Sequence, residues 1–103
     1  MINAVHLINQ LFEIQSKIRD MGEADRFERN FTRLTSMFTD EGYIVQDPTH
    51  EAYSDSRTDC EASITGKMSS RMKISKTLKP VIYQKEEGNL RLVQKAVVIV
   101  ENE

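Results

Sequence analysis

The apolar positions in the first forty residues fall at helical spacing. Ala4, Leu7, Leu11, Ile14, Ile18 and Met21 step by alternating threes and fours, the a/d seam of a heptad repeat. Val5, Ile8 and Phe12 widen this stripe on one side, to a breadth that suits a helix bundle better than a two-stranded coil. A second helical pattern runs from Ala24 to Glu41, where Phe27, Phe31, Leu34 and Phe38 alternate fours and threes with Met37 beside them. Its seam restarts one residue out of phase across Gly22, so the spacing predicts a helical hairpin or a bent long helix, with a break or sharp bend favoured. Gly42 is the predicted C-cap. Two such helices alone make a poor core. The pattern therefore predicts a dimeric four-helix bundle, with Leu7, Leu11, Ile14, Ile18, Phe27, Phe31 and Leu34 as its dimerisation seam.

After Gly42 the period shortens to that of strands. Tyr43 to Gln46 is a short β-prone run. Asp47 to Thr58 is polar, contains Pro48, and is predicted as loop. Thr58 to Thr65 alternates, with Cys60, Ala62 and Ile64 on one side. Gly66 to Ser70 is turn-like. Met72 to Tyr83 alternates again, with Pro80 marking an edge, a bulge or a bend. Gln84 to Asn89 is predicted as a polar connection. Leu90 to Val100 is the strongest strand, and its apolar run from Ala96 to Val100 suits a strand covered on both faces. The predicted fold class is thus α+β, with a helical dimerisation region over 1–42 and a small all-β unit over 43–103.

Composition sharpens this picture. The chain has 103 residues, 39% hydrophobic and 29% charged, a globular balance for one small domain or two very small halves. The formal net charge of −2 supplies no strong field for nucleic acid or anionic lipid. The single cysteine, Cys60, excludes an internal disulfide and points to a reducing, cytoplasmic-type compartment. No apolar run approaches the ~20 residues of a membrane span, and the N-terminus lacks a signal-peptide layout.

The side chains that carry chemistry are sparse. His6 and His50 lack the companions that a zinc site of about four ligands needs, so no metal or other cofactor is expected. Cys60 with His50 as base is the one candidate nucleophile pair; the competing reading makes Cys60 a small apolar residue on the inward face of its strand. The glycines are isolated, so there is no phosphate loop. Glu86 and Glu87 read as solvated turn residues. No catalytic residue is assigned, and the expectation is a non-enzymatic interaction protein. Charge is segregated: Lys67, Arg71, Lys73, Lys76, Lys79 and Lys85 form a wholly positive stretch, whereas Asp40 to Glu61 is acidic apart from Arg57. That pattern can orient a partner protein or simply discourage edge-to-edge sheet pairing. With Tyr83 as its only aromatic, the basic stretch is a poor stacking platform for nucleic acid.

The order of elements and several local motifs resemble the GrpE family, the nucleotide-exchange factors of DnaK-type chaperones. The resemblance runs from about Arg26 to Val100. Phe31, Leu34, Phe38, Gly42 and Ile44 fit the end of the family's bundle helix. Pro48, Glu51 and Tyr53 match a Pro-x-Gly-Glu-x-Phe-Asp-like segment in which His50 replaces the glycine. Cys60, Glu61 and Ala62 stand where the family has His-Glu-Ala. Leu78, Lys79, Pro80 and Tyr83 resemble a leucine-x-proline followed by Gly-Tyr, and Gln94 to Val100 resembles the closing Arg-Pro-Ala-x-Val-x-Val. The family's long N-terminal paired helix is mostly missing here. The resemblance implies a homodimer whose β half docks on a DnaK-type chaperone and promotes nucleotide exchange without covalent chemistry; the alternative is a dimeric adaptor of the same fold that has lost exchange activity. It places the partner-binding surface at Glu51, Tyr53, Glu61, Lys76 and Lys79.

Overall fold

A computed structural model of the chain describes residues 2–67 and 69–102. Two helices come first, α1 (Ala4–Asp20) and α2 (Ala24–Asp40), so the phase slip at Gly22 is a hairpin. Among the described residues seven strands follow: β1 (Tyr43–Gln46), β2 (Ala52–Tyr53), β3 (Cys60–Thr65), β4 (Met72–Lys79), β5 (Val81–Glu86), β6 (Asn89–Gln94) and β7 (Ala96–Asn102). The class is α+β, helices first and sheet second. One residue of the predicted Gly66–Ser70 turn, Met68, lies outside the described residues.

The helices begin and end where side chains and backbone permit. The Asn3 carboxamide accepts from the His6 N–H at 3.1 Å, capping α1. At its other end, Gly22 (φ +75°) is left-handed, its N–H donates to the Arg19 carbonyl and the Glu23 N–H donates to the Ile18 carbonyl. That pair of bonds is a Schellman stop, which requires a residue tolerant of positive φ.

Two strand predictions need correction. Met72–Tyr83 is two strands, because Pro80 cannot donate to a ladder and bends the chain between β4 and β5. Leu90–Val100 is also two strands, divided at Lys95. The supposed polar connection Gln84–Asn89 instead contains the end of β5 and a two-residue hairpin turn, Glu87 (φ +49°) and Gly88 (φ +84°). β4 and β5 against β6 and β7 therefore make one long bent ribbon, antiparallel throughout. Its tip lies in a three-stranded sheet (β1-β5-β6) and its base in a four-stranded sheet (β2-β4-β7-β3), where β3 runs parallel to β7. The two-residue strand β2 lies inside the predicted loop, pairing Ala52 with Lys73 and Tyr53 with Met72.

The core forms on the inner face of the four-stranded sheet. Ile74, Val98 and Val100 are wholly buried there, joined by Met72, Cys60 and, from across the bend, Val81. Adjacent strand residues point to opposite faces, so Ile82, also wholly buried, faces away from Val81 and lies on the face of β5 shared with Val45. Buried Thr77 donates its hydroxyl to Thr49 at 2.8 Å, and Thr49 donates to Asp47 at 2.6 Å, so this inward polar atom is satisfied.

Candidate protein-interaction surfaces

The broad apolar stripe of α1 is divided between the protein's own interior and solvent. Ile8 and Phe12, the residues that widen the stripe, are buried. They line a cavity of about 40 Å3 together with Leu34 and Phe38 of α2 and Val45 of β1. Beside them Asn9 and Gln94 clasp each other: Asn9 donates to Gln94 at 2.8 Å and Gln94 donates back at 2.9 Å. Gln94 also donates to the Pro80 carbonyl at 2.9 Å, so the latch ties α1 to the bend of the ribbon. Part of the helical ridge, the side carrying Ile8 and Phe12, is thus covered by the chain itself.

The seam residues proper divide differently. Leu11, Ile18, Phe31 and Leu34 are half-buried within the hairpin. Leu7, Ile14 and Met21 are 39%, 47% and 73% exposed. Their spacing of seven residues sets them in one row along α1 and its C-cap, Met21. Phe27 and Met37 of α2 are also exposed, and α2 has no buried residue.

The outer face of the four-stranded sheet sorts charge by strand. Register places Lys79, Val97 and Glu61 in one cross-strand row, then Lys76, Ile99 and Ser63, then Lys73, Glu101 and Thr65. Lysines therefore line β4, half-buried Val97 and Ile99 occupy β7, and Glu61 stands on the edge strand β3. Bulges between Ile74 and Lys76 and between Thr77 and Lys79 keep the three lysines on one face. Among the described residues, none of Glu61, Lys76 and Lys79 is in an ion pair. Lys76 borders a cleft facing Glu13 and Asp20 of α1.

The other two residues singled out from the sequence sit apart from this face. Tyr53 packs against the buried core. The Glu51 carboxylate is held by Arg57 at 2.8 Å. Arg57 also grips Asp59 through two nitrogens, at 2.8 and 3.2 Å, and donates to the Ala52 carbonyl at 2.9 Å. The bond from Arg57 holds the Asp59 carboxyl below its ordinary range, and Asp59 in turn raises the guanidinium. Arg57 is therefore the clamp of the 47–59 segment. Its signal in the sequence is faint: a lone cation in an acidic run.

Cys60 is buried, and burial with the nearby Asp59 charge pushes its thiol up to about 11. A thiol in that state is protonated and shielded, the opposite of an activated nucleophile. His50 is exposed, with φ at +76°. Among the described residues, no group of three or more His, Cys, Asp or Glu is placed to hold a metal ion. No helix among them is long and apolar enough to cross a membrane. Comparison with family models, curated proteins and solved structures returns no match.

Proposed function

We propose that this chain acts by binding other protein chains: two copies pair through their helices into a four-helix bundle, and the sorted outer face of the sheet docks a partner. The observation that carries the reading is the row Leu7, Ile14 and Met21, apolar, regularly spaced and open to solvent. Such a row on a helix fits another helix of the same repeat. The test is sedimentation at micromolar concentration, where pairing gives a dimer that Ile14→Lys converts to monomer.

The partner favoured by the GrpE resemblance is a DnaK-type chaperone. One local feature supports it. In the family's Pro-x-Gly-Glu-like segment the glycine position falls on His50, and His50 adopts the left-handed backbone that glycine favours. The turn is closed by a bond from the Glu51 N–H to the Pro48 carbonyl at 3.0 Å, as a tight turn at that site requires. A partner held more tightly in its open state than its closed one is shifted toward opening by differential affinity alone. Nucleotide release from a DnaK-type chaperone, followed by a fluorescent nucleotide, measures this directly. Accelerated release that Lys76→Glu with Lys79→Glu abolishes supports the exchange reading. Chaperone binding without acceleration leaves the adaptor reading, and no binding with or without nucleotide excludes this chaperone as the partner.

A further inference from the structure

The hairpin is tightly packed far from its turn and loosely packed near it. Ile8, Asn9 and Phe12, in the first half of α1, are seated against α2, β1 and the ribbon bend. Towards the turn, α1 and α2 are separated by an open groove of about 460 Å3, bordered by Ile18, Arg19, Asp25, Glu28 and Phe31. The helices are joined by Met21, Gly22 and Glu23 alone, and the reversal depends on Gly22 at φ +75°. A Cβ placed on Gly22 would meet no atom within 4 Å. The turn is held by the left-handed backbone of Gly22 and the two Schellman hydrogen bonds it permits.

We propose that α1 is exchangeable between two copies of this chain. When the link at Gly22 opens, α1 leaves its own seat and occupies the same seat on a second copy. Ile8 and Phe12 then bury between chains, and the clasp of Asn9 with Gln94 forms in trans. Every contact of the seat is identical in the closed and exchanged forms, so the balance rests on the link and on the loosely packed groove beside it. Exchange of an identical element is a low-cost route to a two-fold dimer. The inference rests on the proposed dimer, in which the exposed rows pair the two copies and exchange of α1 adds a second tie between them.

Gly22→Ala is a clean lever, because the added methyl group meets open space and acts only through the backbone. The left-handed turn then becomes unfavourable by a factor of about 5–30 per link, while helix across the link becomes favourable. The experiment mixes two full-length chains that both carry Cys60→Ser and Gly22→Ala, one with Asn9→Cys and the other with Gln94→Cys, and treats them with a short bis-maleimide. Exchange predicts a covalent dimer of unlike chains. A parallel sample with Gly22→Ala alone, read by light scattering, predicts a larger dimer fraction than wild type, and a Gly-Ser-Gly-Ser insertion after Gly22 predicts a smaller one. A Gly22→Ala protein that is dimeric but gives no cross-chain product overturns the exchange and leaves the dimer standing. A Gly22→Ala protein that stays monomeric overturns both.

Discussion

Phe12→Ala tests how α1 is held. Phe12 is 8% exposed and Ile8 2%, so removing the ring withdraws nearly a whole buried side chain. A Phe→Ala change in a core costs about 3–5 kcal/mol, from lost transfer energy and the cavity left behind. The void of about 40 Å3 that already adjoins this residue gives its neighbours room to settle inward, which places the cost near the lower end, about 3 kcal/mol. For a domain of this size that is a fall in Tm of about 12–24 °C. The contrasting change is Ile14→Ala, two residues further along and on the opposite side of α1 at 47% exposure, with an expected cost of about 0.5 kcal/mol or less in a lone chain. Urea unfolding at submicromolar concentration measures both while pairing is minimal. A Phe12→Ala loss below about 1 kcal/mol, or an Ile14→Ala loss equal to it, would refute the division of the stripe into a covered and an uncovered side.

Other expectations follow from particular side chains. His50→Gly relieves a left-handed residue and should raise stability by about 0.5–1 kcal/mol, glycine's own entropy cost included, as read by chemical denaturation. Arg57→Ala should lower stability by about 1–2 kcal/mol, and it should also flatten the acid dependence. Asp59 has a depressed pKa in the folded state, so its contribution is present above the ordinary carboxylate pKa and disappears as pH falls through the folded value. Thermal melts across pH 2–6, a window set by ordinary carboxylate values and those below them, should show a shallower slope for Arg57→Ala than for wild type. Cys60, buried with its thiol pushed up to about 11, should resist thiol reagents at pH 8 until the protein is unfolded. Rapid labelling of the native protein would contradict its place in the core.

The helical half was legible because two independent signals agree at one point: the apolar phase slips between Met21 and Phe27, and Gly22 lies in the gap. The central strand β7 was legible from its unbroken apolar run. The bend of the ribbon was not, since the alternation of Met72–Tyr83 and of Leu90–Val100 continues through the corner while the chain changes sheet. Pro80 marked one side of that corner, but Lys95 gives no such sign. Tyr53, read as a docking residue, is partly core because β2 is too short to register as a periodic run. The clasp of Asn9 with Gln94 joins residues 85 positions apart, and two amides carry no pattern that links them beforehand. Lys76, Lys79 and Glu61 share a face only through the register of β4, β7 and β3, with bulges that alternation cannot reveal.

The most direct measurement is sedimentation velocity on the wild-type chain and on Ile14→Lys across a range of micromolar concentrations. The account predicts a wild-type dimer and an Ile14→Lys monomer that keeps its helical circular dichroism. A wild type that sediments as a monomer at every concentration, or a dimer unaffected by a charge in the middle of the exposed row, would contradict it.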